Sequence, residues 1–209
     1  MSAGVFCWYE LMTTDLAAAR AFYGSVVGWE AADSGMPGLD YTLFSVAGGP
    51  VAGAMTIPAE AAAQNIPPNW TGYVRVEDVD AHLPRLLAAG GALLRPAEDI
   101  PGVGRFAVVA DPGGVVFCLF REIDGAAPAL PAAGPCDPGR FSWHELHATD
   151  GEAAFGFYAV LFGWREVEKL DMGPMGIYRL FATGTEGAVG GMMTKSPDCP
   201  MPFWLYYVG

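Results

Sequence analysis

The sequence predicts an α+β protein made of tandem modules, in which each module has one strand, one helix and three further strands. Residues 6–30 recur at 141–165 with a constant offset of 135 and at least ten identities. A weaker repeat lies inside the first half, where 71–91 follows the plan of 8–28 at an offset of 63. Self-similarity at a fixed spacing is the signature of one structural unit that is used several times.

The first module shows the plan most clearly. Thr14 or Asp15 can cap a helix by accepting a backbone N–H bond, and Gly28 suits the left-handed position after its last turn. Between them, apolar side chains recur at helical spacing. Strand-like runs, separated by Gly-rich turns, follow at 29–33, 41–47 and 51–57.

The second module repeats this plan with a less regular helix. Its strand-like runs lie at 92–95, 105–110 and 115–121, and Asp111-Pro112-Gly113-Gly114 predicts a turn between the last two. Pro84 lies inside the helical segment, so we expect it to kink the helix or to delay its start to about His82.

Two strand segments of the first module recur in the third module. YTLF at Tyr41 recurs as YRLF at Tyr178, and VAGAMT at Val51 recurs as VGGMMT at Val189. We therefore predict a first domain of two modules at 1–124, a Pro- and Gly-rich linker at 125–139, and a second domain at 140–209. That second domain holds one module and the first strand of the next, so we expect the natural chain to continue for about one more module.

Composition narrows the function classes. The chain has 209 residues, with 11 basic and 23 acidic side chains and a net charge of -12, which disfavours nucleic acid and anionic membranes as partners. No apolar run is long enough to span a bilayer, and the first residues lack a signal-peptide pattern. The four cysteines show no CxxC, so we expect reduced thiols and a cytoplasmic location.

Three motifs of the module plan are specific. They are Thr14-Asp15-Leu16, then Phe22-Tyr23 before Gly28-Trp29, and the Asp111-Pro112-Gly113-Gly114 turn before a final strand. With them, the modules resemble the βαβββ unit of the vicinal oxygen chelate superfamily, which includes glyoxalases, bleomycin-resistance proteins and extradiol dioxygenases. The subgroup that the chain most resembles is the paired-domain glyoxalase-like proteins. The resemblance implies a half-open sheet around a cavity.

The resemblance also implies where metal-dependent members place their ligands, in the first and last strand of each module. The corresponding residues here are Trp8 and Gly53 in the first module, and Thr71 and Cys118 in the second. A divalent ion prefers three or four His or carboxylate ligands, which this set does not offer. We therefore predict no metal site and no cofactor.

Side chains alternate between the faces of a strand, so the same positions predict what else lines the cavity. Trp8 shares its face with every second residue of its strand, and the other module strands follow the same alternation. The predicted cavity is aromatic, sulfur-lined and mostly apolar, as in small-molecule pockets. The predicted ligand-binding residues of the first domain are Trp8, Glu10, Met12, Met55, Tyr73, Arg75, Cys118 and Phe120. On the corresponding first strand of the second domain they are Trp143, Glu145 and His147.

Several of these residues have alternative interpretations. Glu10 is a structural carboxylate paired with Arg75, a ligand contact, or a catalytic acid or base. Trp8 also fits a plain core aromatic, and Cys118 fits a buried thiol better than a nucleophile. The His144–His147 spacing is three on a strand, so it does not match a helical zinc motif.

Two functions remain. The first is a metal-free protein that binds an aromatic or amphipathic small molecule. The second is a superfamily enzyme of lyase, isomerase or dioxygenase type, with Glu10 as acid or base or with a metal at non-standard positions. Measuring bound metal ions distinguishes a metal-dependent enzyme from the metal-free alternatives. The expected partner is a small-molecule ligand, and a homodimer is left open.

Overall fold

The α+β class predicted from the repeats is confirmed. A computed structural model describes residues 4–36, 38–47, 49–123, 137–184 and 187–209, and in these ranges it has thirteen strands and four helices. The first module contains β1 (Phe6–Thr13), α1 (Leu16–Val26), β2 (Glu30–Asp33), β3 (Tyr41–Val46) and β4 (Gly49–Thr56), and is followed by the short helix α2 (Ala59–Ala63).

The remaining modules repeat this order. The second contains β5 (Asn69–Arg75), α3 (Val79–Ala88), β6 (Ala92–Ile100), β7 (Gly104–Ala110) and β8 (Val116–Glu122). The third contains β9 (Phe141–Ala148), α4 (Gly151–Phe162), β10 (Arg165–Asp171), β11 (Ile177–Ala182) and β12 (Gly190–Thr194), and β13 (Phe203–Val208) follows it.

An aspartate caps each of the three module helices. The side chains of Asp15, Asp78 and Asp150 accept backbone N–H bonds three residues later, at 2.9, 3.0 and 3.0 Å. Such a cap contributes about 1 kcal/mol to helix stability. Gly28 follows α1 with φ of 77°, the left-handed conformation that the sequence predicted for it.

Two details differ from the sequence-based expectations. α3 begins at Val79 and contains Pro84, so the predicted start near His82 is wrong; the Asp78 cap sets the start instead. β6 extends beyond the predicted 92–95 to Ile100 in spite of Pro96. It is the last strand of its sheet, and such edge strands tolerate the missing N–H of proline.

The strands form two open sheets in the described residues. Their orders are β2-β3-β4-β1-β5-β8-β7-β6 and β10-β11-β12-β9-β13. In each module the first strand pairs in parallel with the last, as β1 with β4, β5 with β8, and β9 with β12. This pairing places residues of the first and last strand side by side, which is the arrangement that positions the candidate site.

Contacts divide the chain into two compact units, which need not coincide with the sequence repeats. The larger unit comprises the described parts of 4–7, 73–123 and 143–206, and the smaller unit comprises 8–72, 137–142 and 207–209. The predicted domain boundaries rest on repeats rather than contacts, and they stay a prediction. Most of the predicted linker lies outside the described residues.

The core of the larger unit lies between the second and third modules. Apolar side chains of α3 and α4, together with the strands beneath them, are buried in one cluster. Trp164 is stacked on Phe181, with ring centroids 4.5 Å apart. Its indole nitrogen donates to the Gly4 carbonyl at 2.5 Å, and the repeat-related Trp29 donates to the Gly139 carbonyl at 2.7 Å in the smaller unit.

The two repeat-related helices differ in how much of their apolar face is covered. Phe157 and Leu161 of α4 are 5% and 3% exposed in the core of the larger unit. Their equivalents in α1, Phe22 and Val26, are 54% and 65% exposed. The same sequence pattern therefore contributes very different amounts of burial in the two units. None of the described helices is long and apolar enough to cross a membrane.

Candidate functional site

A hydrogen-bonded chain of three side chains lies in the smaller unit, and we call it the first-repeat cluster: Trp8, Tyr41 and Glu10. The indole nitrogen of Trp8 donates to the hydroxyl of Tyr41 at 2.9 Å. That hydroxyl donates in turn to Oε2 of Glu10 at 3.0 Å. Hydrogen bonds to a charged acceptor are about twice as strong as those between neutral groups, so Tyr41 fixes the carboxylate.

Gly53 makes room for this cluster. It pairs with Glu10 across the β1–β4 ladder, so both positions belong to the same part of the sheet. A Cβ atom added at residue 53 would lie 1.8 Å from the Tyr41 hydroxyl and 2.2 Å from its Cζ atom. Because real Cβ atoms do not approach so closely, any side chain at this position would displace the tyrosine.

The third module contains the same arrangement in the larger unit. We call Trp143, Tyr178, Glu145 and His147 the second-repeat cluster. The indole nitrogen of Trp143 donates to the Tyr178 hydroxyl at 2.8 Å, which donates to Oε2 of Glu145 at 2.8 Å. A Cβ at Gly191 would lie 2.1 Å from Cζ of Tyr178, as at the first repeat.

His147 extends the second-repeat cluster by one member. Its Nε2 lies 2.7 Å from Oε1 of Glu145, so the carboxylate is held from both sides. The ring of Phe203 is stacked on the imidazole, at 4.8 Å between centroids. The first-repeat residue at this position is Met12, which pairs with Met55 across β1 and β4.

Four further predicted site residues lie together on β5 and β8 of the larger unit. Tyr73 pairs with Cys118, and Arg75 pairs with Phe120, in the parallel register of the two strands. The Arg75 guanidinium forms a bidentate ion pair with Glu122, at 2.6 and 3.1 Å, in which both side chains are mostly buried. The partner of Arg75 that the structure shows is thus Glu122, which the sequence analysis did not single out.

Cys118 and His144, the remaining histidine of β9, are buried, whereas Cys7 and Cys199 are partly buried. Burial raises the pKa of the Cys7 thiol to about 12. Burial also lowers the pKa of His144 to about 4, and its Nδ1 bonds to the Val189 carbonyl at 2.8 Å. Cys7, Cys118 and Cys199 are thiols, whereas Cys136 lies outside the described residues.

The donors at the superfamily's metal positions do not fit a divalent ion. Trp8 and Gly53 offer no ligand atom, and the Thr71 hydroxyl donates to Asn69 at 3.0 Å. Within the described ranges, no group of three or more His, Cys, Asp or Glu side chains is placed to hold a metal. Metal independence itself stays a prediction, because it depends on binding rather than on geometry alone.

Comparison with known proteins identifies the family. The sequence model of the glyoxalase-like domain matches residues 8–120. The chain belongs to the glyoxalase-like domain family. It is therefore a member of the vicinal oxygen chelate superfamily, as its motifs predicted.

Relatives of this glyoxalase-like protein have been named in two groups. The chain is 30% identical over 202 residues to the CFP32 protein of Mycobacterium tuberculosis, which is provisionally named a glyoxylase; the match covers 96% of this chain and 75% of that protein. It is 34% identical over 172 residues to the anthracycline biosynthesis protein DnrV of Streptomyces peucetius, covering 77% of this chain and 61% of that one.

Solved structures share the fold at low sequence identity. The Mn(II)-bound glyoxalase of Novosphingobium aromaticivorans superposes with a TM-score of 0.68 at 16% identity, covering 94% of this chain and 63% of that one. An extradiol ring-cleaving dioxygenase from B. fuscum gives a TM-score of 0.66 at 17% identity, covering 92% and 54%. The glyoxalase-like chain thus spans less than two thirds of these proteins, and the likeness shows the fold alone.

Proposed function

We propose that this glyoxalase-like protein binds a planar aromatic compound with phenolic or carbonyl oxygens, without a metal ion. The observation that carries the proposal is the tyrosine beside the vacated position: Tyr41 beside Gly53, and Tyr178 beside Gly191. At each of these two positions, a tyrosine hydroxyl and a glutamate carboxylate lie where metal-dependent superfamily members are expected to have a metal-ligating side chain. The tyrosine–glycine pair recurs in both repeats, and this recurrence supports a retained role in ligand binding.

The chemistry of the first-repeat cluster suits such a ligand. Trp8 is half-buried, so a planar ring can cover its remaining surface, and aromatic contacts contribute about 0.5–1.5 kcal/mol beyond the buried area. A carboxylate accepts several hydrogen bonds, so a ligand hydroxyl can share Glu10 with Tyr41. Met12 and Met55 offer adaptable apolar contacts nearby on the same two strands.

The names of two relatives point to the same class of compound. DnrV and DauV are named as anthracycline biosynthesis proteins, and anthracyclines are polycyclic aromatic compounds with phenolic hydroxyls. The predicted contacts on β5 and β8 would act through packing. Tyr73, Cys118 and Phe120 are buried, and Glu122 balances the charge of Arg75.

Calorimetric titration with 1,8-dihydroxyanthraquinone in the presence of EDTA tests the proposal. We expect saturable binding that Trp8→Leu or Trp143→Leu weakens about tenfold, the equivalent of about 1.4 kcal/mol. Phe22→Leu is the matched control, because it alters an exposed aromatic side chain on α1. Binding that requires an added divalent ion, or that neither tryptophan variant weakens, would contradict the proposal.

Acid–base catalysis is the second candidate, and one contact favours it. Glu145 lies 2.7 Å from His147, within the reach that a base and its orienting carboxylate need. Incorporation of solvent deuterium into a bound carbonyl compound, lost in Glu145→Gln, would support this activity. Cytoplasmic location stays a prediction, and assembly as a homodimer stays open.

A further inference from the structure

The two repeat clusters differ at one member, and that difference has a chemical consequence. Trp, Tyr and Glu are shared, but His147 of the second-repeat cluster stands where the first has Met12. A thioether cannot exchange a proton, whereas an imidazole can do so near neutral pH. One of two otherwise matching clusters therefore carries a group that can change the protonation state of a ligand.

The hydrogen bonds of the second-repeat cluster define which ring nitrogen is the base. The carboxylate of Glu145 only accepts hydrogen bonds, so the proton of a neutral imidazole lies on Nε2, at 2.7 Å from Oε1. Nδ1 is then the nitrogen with the lone pair. The carboxylate also accepts a hydrogen bond from the Tyr178 hydroxyl at 2.8 Å, which orients it.

The surroundings leave part of the imidazole open to a ligand, because the side chain of His147 is 22% exposed. β12 faces the imidazole with Met193, β13 faces it with Phe203, and the charged group that contacts it is Glu145 on its own strand. An imidazolium formed here would be balanced by that carboxylate.

We propose that His147 takes the proton of an acidic hydroxyl, a phenol or an enol, and that the second-repeat cluster holds the aromatic ligand as its conjugate base. The ligand O–H bond breaks, an N–H bond forms at Nδ1, and the oxyanion pairs with the imidazolium, with no change of oxidation state. Glu145 stabilises the imidazolium through its hydrogen bond to Nε2. The inference rests on the proposed function, since it assigns the class of ligand that one of its sites takes.

Titration with 4-nitrophenol and 4-nitroanisole tests this step, because the phenolate absorbs at longer wavelength than the phenol and the anisole cannot ionise. At a pH where 4-nitrophenol is mostly neutral in water, we expect wild type to raise the phenolate fraction of the bound probe about tenfold or more over that in solution. His147→Met, which restores the first-repeat residue, should abolish the rise, whereas Phe22→Leu, at an exposed side chain of α1, should leave both the rise and the binding of 4-nitroanisole unchanged. Glu145→Gln should reduce the rise about tenfold, because it removes the balancing charge.

The contrary outcomes separate failure of the inference from failure of the proposed function. If both probes bind and 4-nitrophenol stays neutral, the inference is overturned and the proposed function stands. A phenolate fraction that is equally high in His147→Met also overturns the inference. If neither probe binds to wild type, the proposed function fails together with the inference. Thermal melts of the two variants establish that they fold.

Discussion

Replacing Gly53 by alanine is expected to destabilise the protein far more than one added methyl group usually does. The new Cβ would lie 1.8 Å from the Tyr41 hydroxyl, so the tyrosine must leave its place. It would lose its hydrogen bonds to Trp8 and Glu10, and the strands around it would have to repack. Lost hydrogen bonds and an overpacked site together predict a loss of about 3 kcal/mol in the free energy of unfolding.

A double-mutant cycle isolates this clash from other effects of the substitution. Tyr41→Ala alone should cost about 3–4 kcal/mol, because it removes a buried aromatic side chain. In that background, Gly53→Ala should cost less than about 0.5 kcal/mol, since the space is then empty and alanine suits a strand better than glycine. The predicted coupling energy is therefore at least about 2 kcal/mol.

Equilibrium unfolding in urea measures these free energies. Tryptophan fluorescence and far-UV circular dichroism are both used to monitor it, because the chain has two contact units and coincident transitions are the test of two-state unfolding. Gly156→Ala is the matched control: this exposed glycine of α4 has open space around its missing side chain. It should leave stability unchanged or raise it by up to about 1 kcal/mol. Additive effects of Gly53→Ala and Tyr41→Ala would refute the reasoning.

Three further predictions follow from burial. Phe157→Ala should cost about 3–5 kcal/mol and Phe22→Ala less than about 1 kcal/mol in the same urea assay, although the two residues are repeat equivalents; equal losses would contradict the burial difference. Because the pKa of His144 is lowered to about 4 in the folded protein, its contribution is complete above pH 6.5 and declines as pH falls toward 4. Wild type should therefore lose about 2 kcal/mol more than His144→Tyr between pH 7 and pH 5, and parallel pH profiles would count against a neutral buried histidine. Cys7, with a pKa of about 12, should react with iodoacetamide more than about a hundredfold more slowly than free cysteine at pH 8 by peptide mass spectrometry, until urea exposes it; rapid labelling of the folded protein would show an accessible thiolate.

Local signals in the sequence were sufficient for much of the fold. The repeats defined the modules, because identities held in register mark one structural unit used again. Asp15 and Gly28 marked the ends of α1, since a helix terminus needs a side-chain acceptor and a left-handed residue at fixed positions. α3 starts at Val79 and not near His82, because the Asp78 side chain caps it ahead of the proline that it contains.

The candidate site was harder to predict, because it depends on partners from neighbouring strands. The superfamily resemblance marks Gly53 as a vacated ligand position, but the side chain that fills the space comes from Tyr41 on β3. The recurrence of tyrosine and glycine together in the first and third modules was the signal available for it. Glu122 as the partner of Arg75 depends on the exact end of β8, which alternation along one strand does not reveal.

Metal analysis of the purified protein is the sharpest test of metal-free ligand binding. In the proposed function, Tyr41 and Tyr178 fill the space left at Gly53 and Gly191, and the two sites bind their ligand through side-chain hydrogen bonds. After dialysis against Mn²⁺, Fe²⁺, Ni²⁺ and Zn²⁺, followed by buffer exchange, inductively coupled plasma mass spectrometry should find less than about 0.1 ion per chain, far from the full occupancy of a dedicated site. One ion per chain, lost on addition of EDTA together with a fall in melting temperature, would contradict the account.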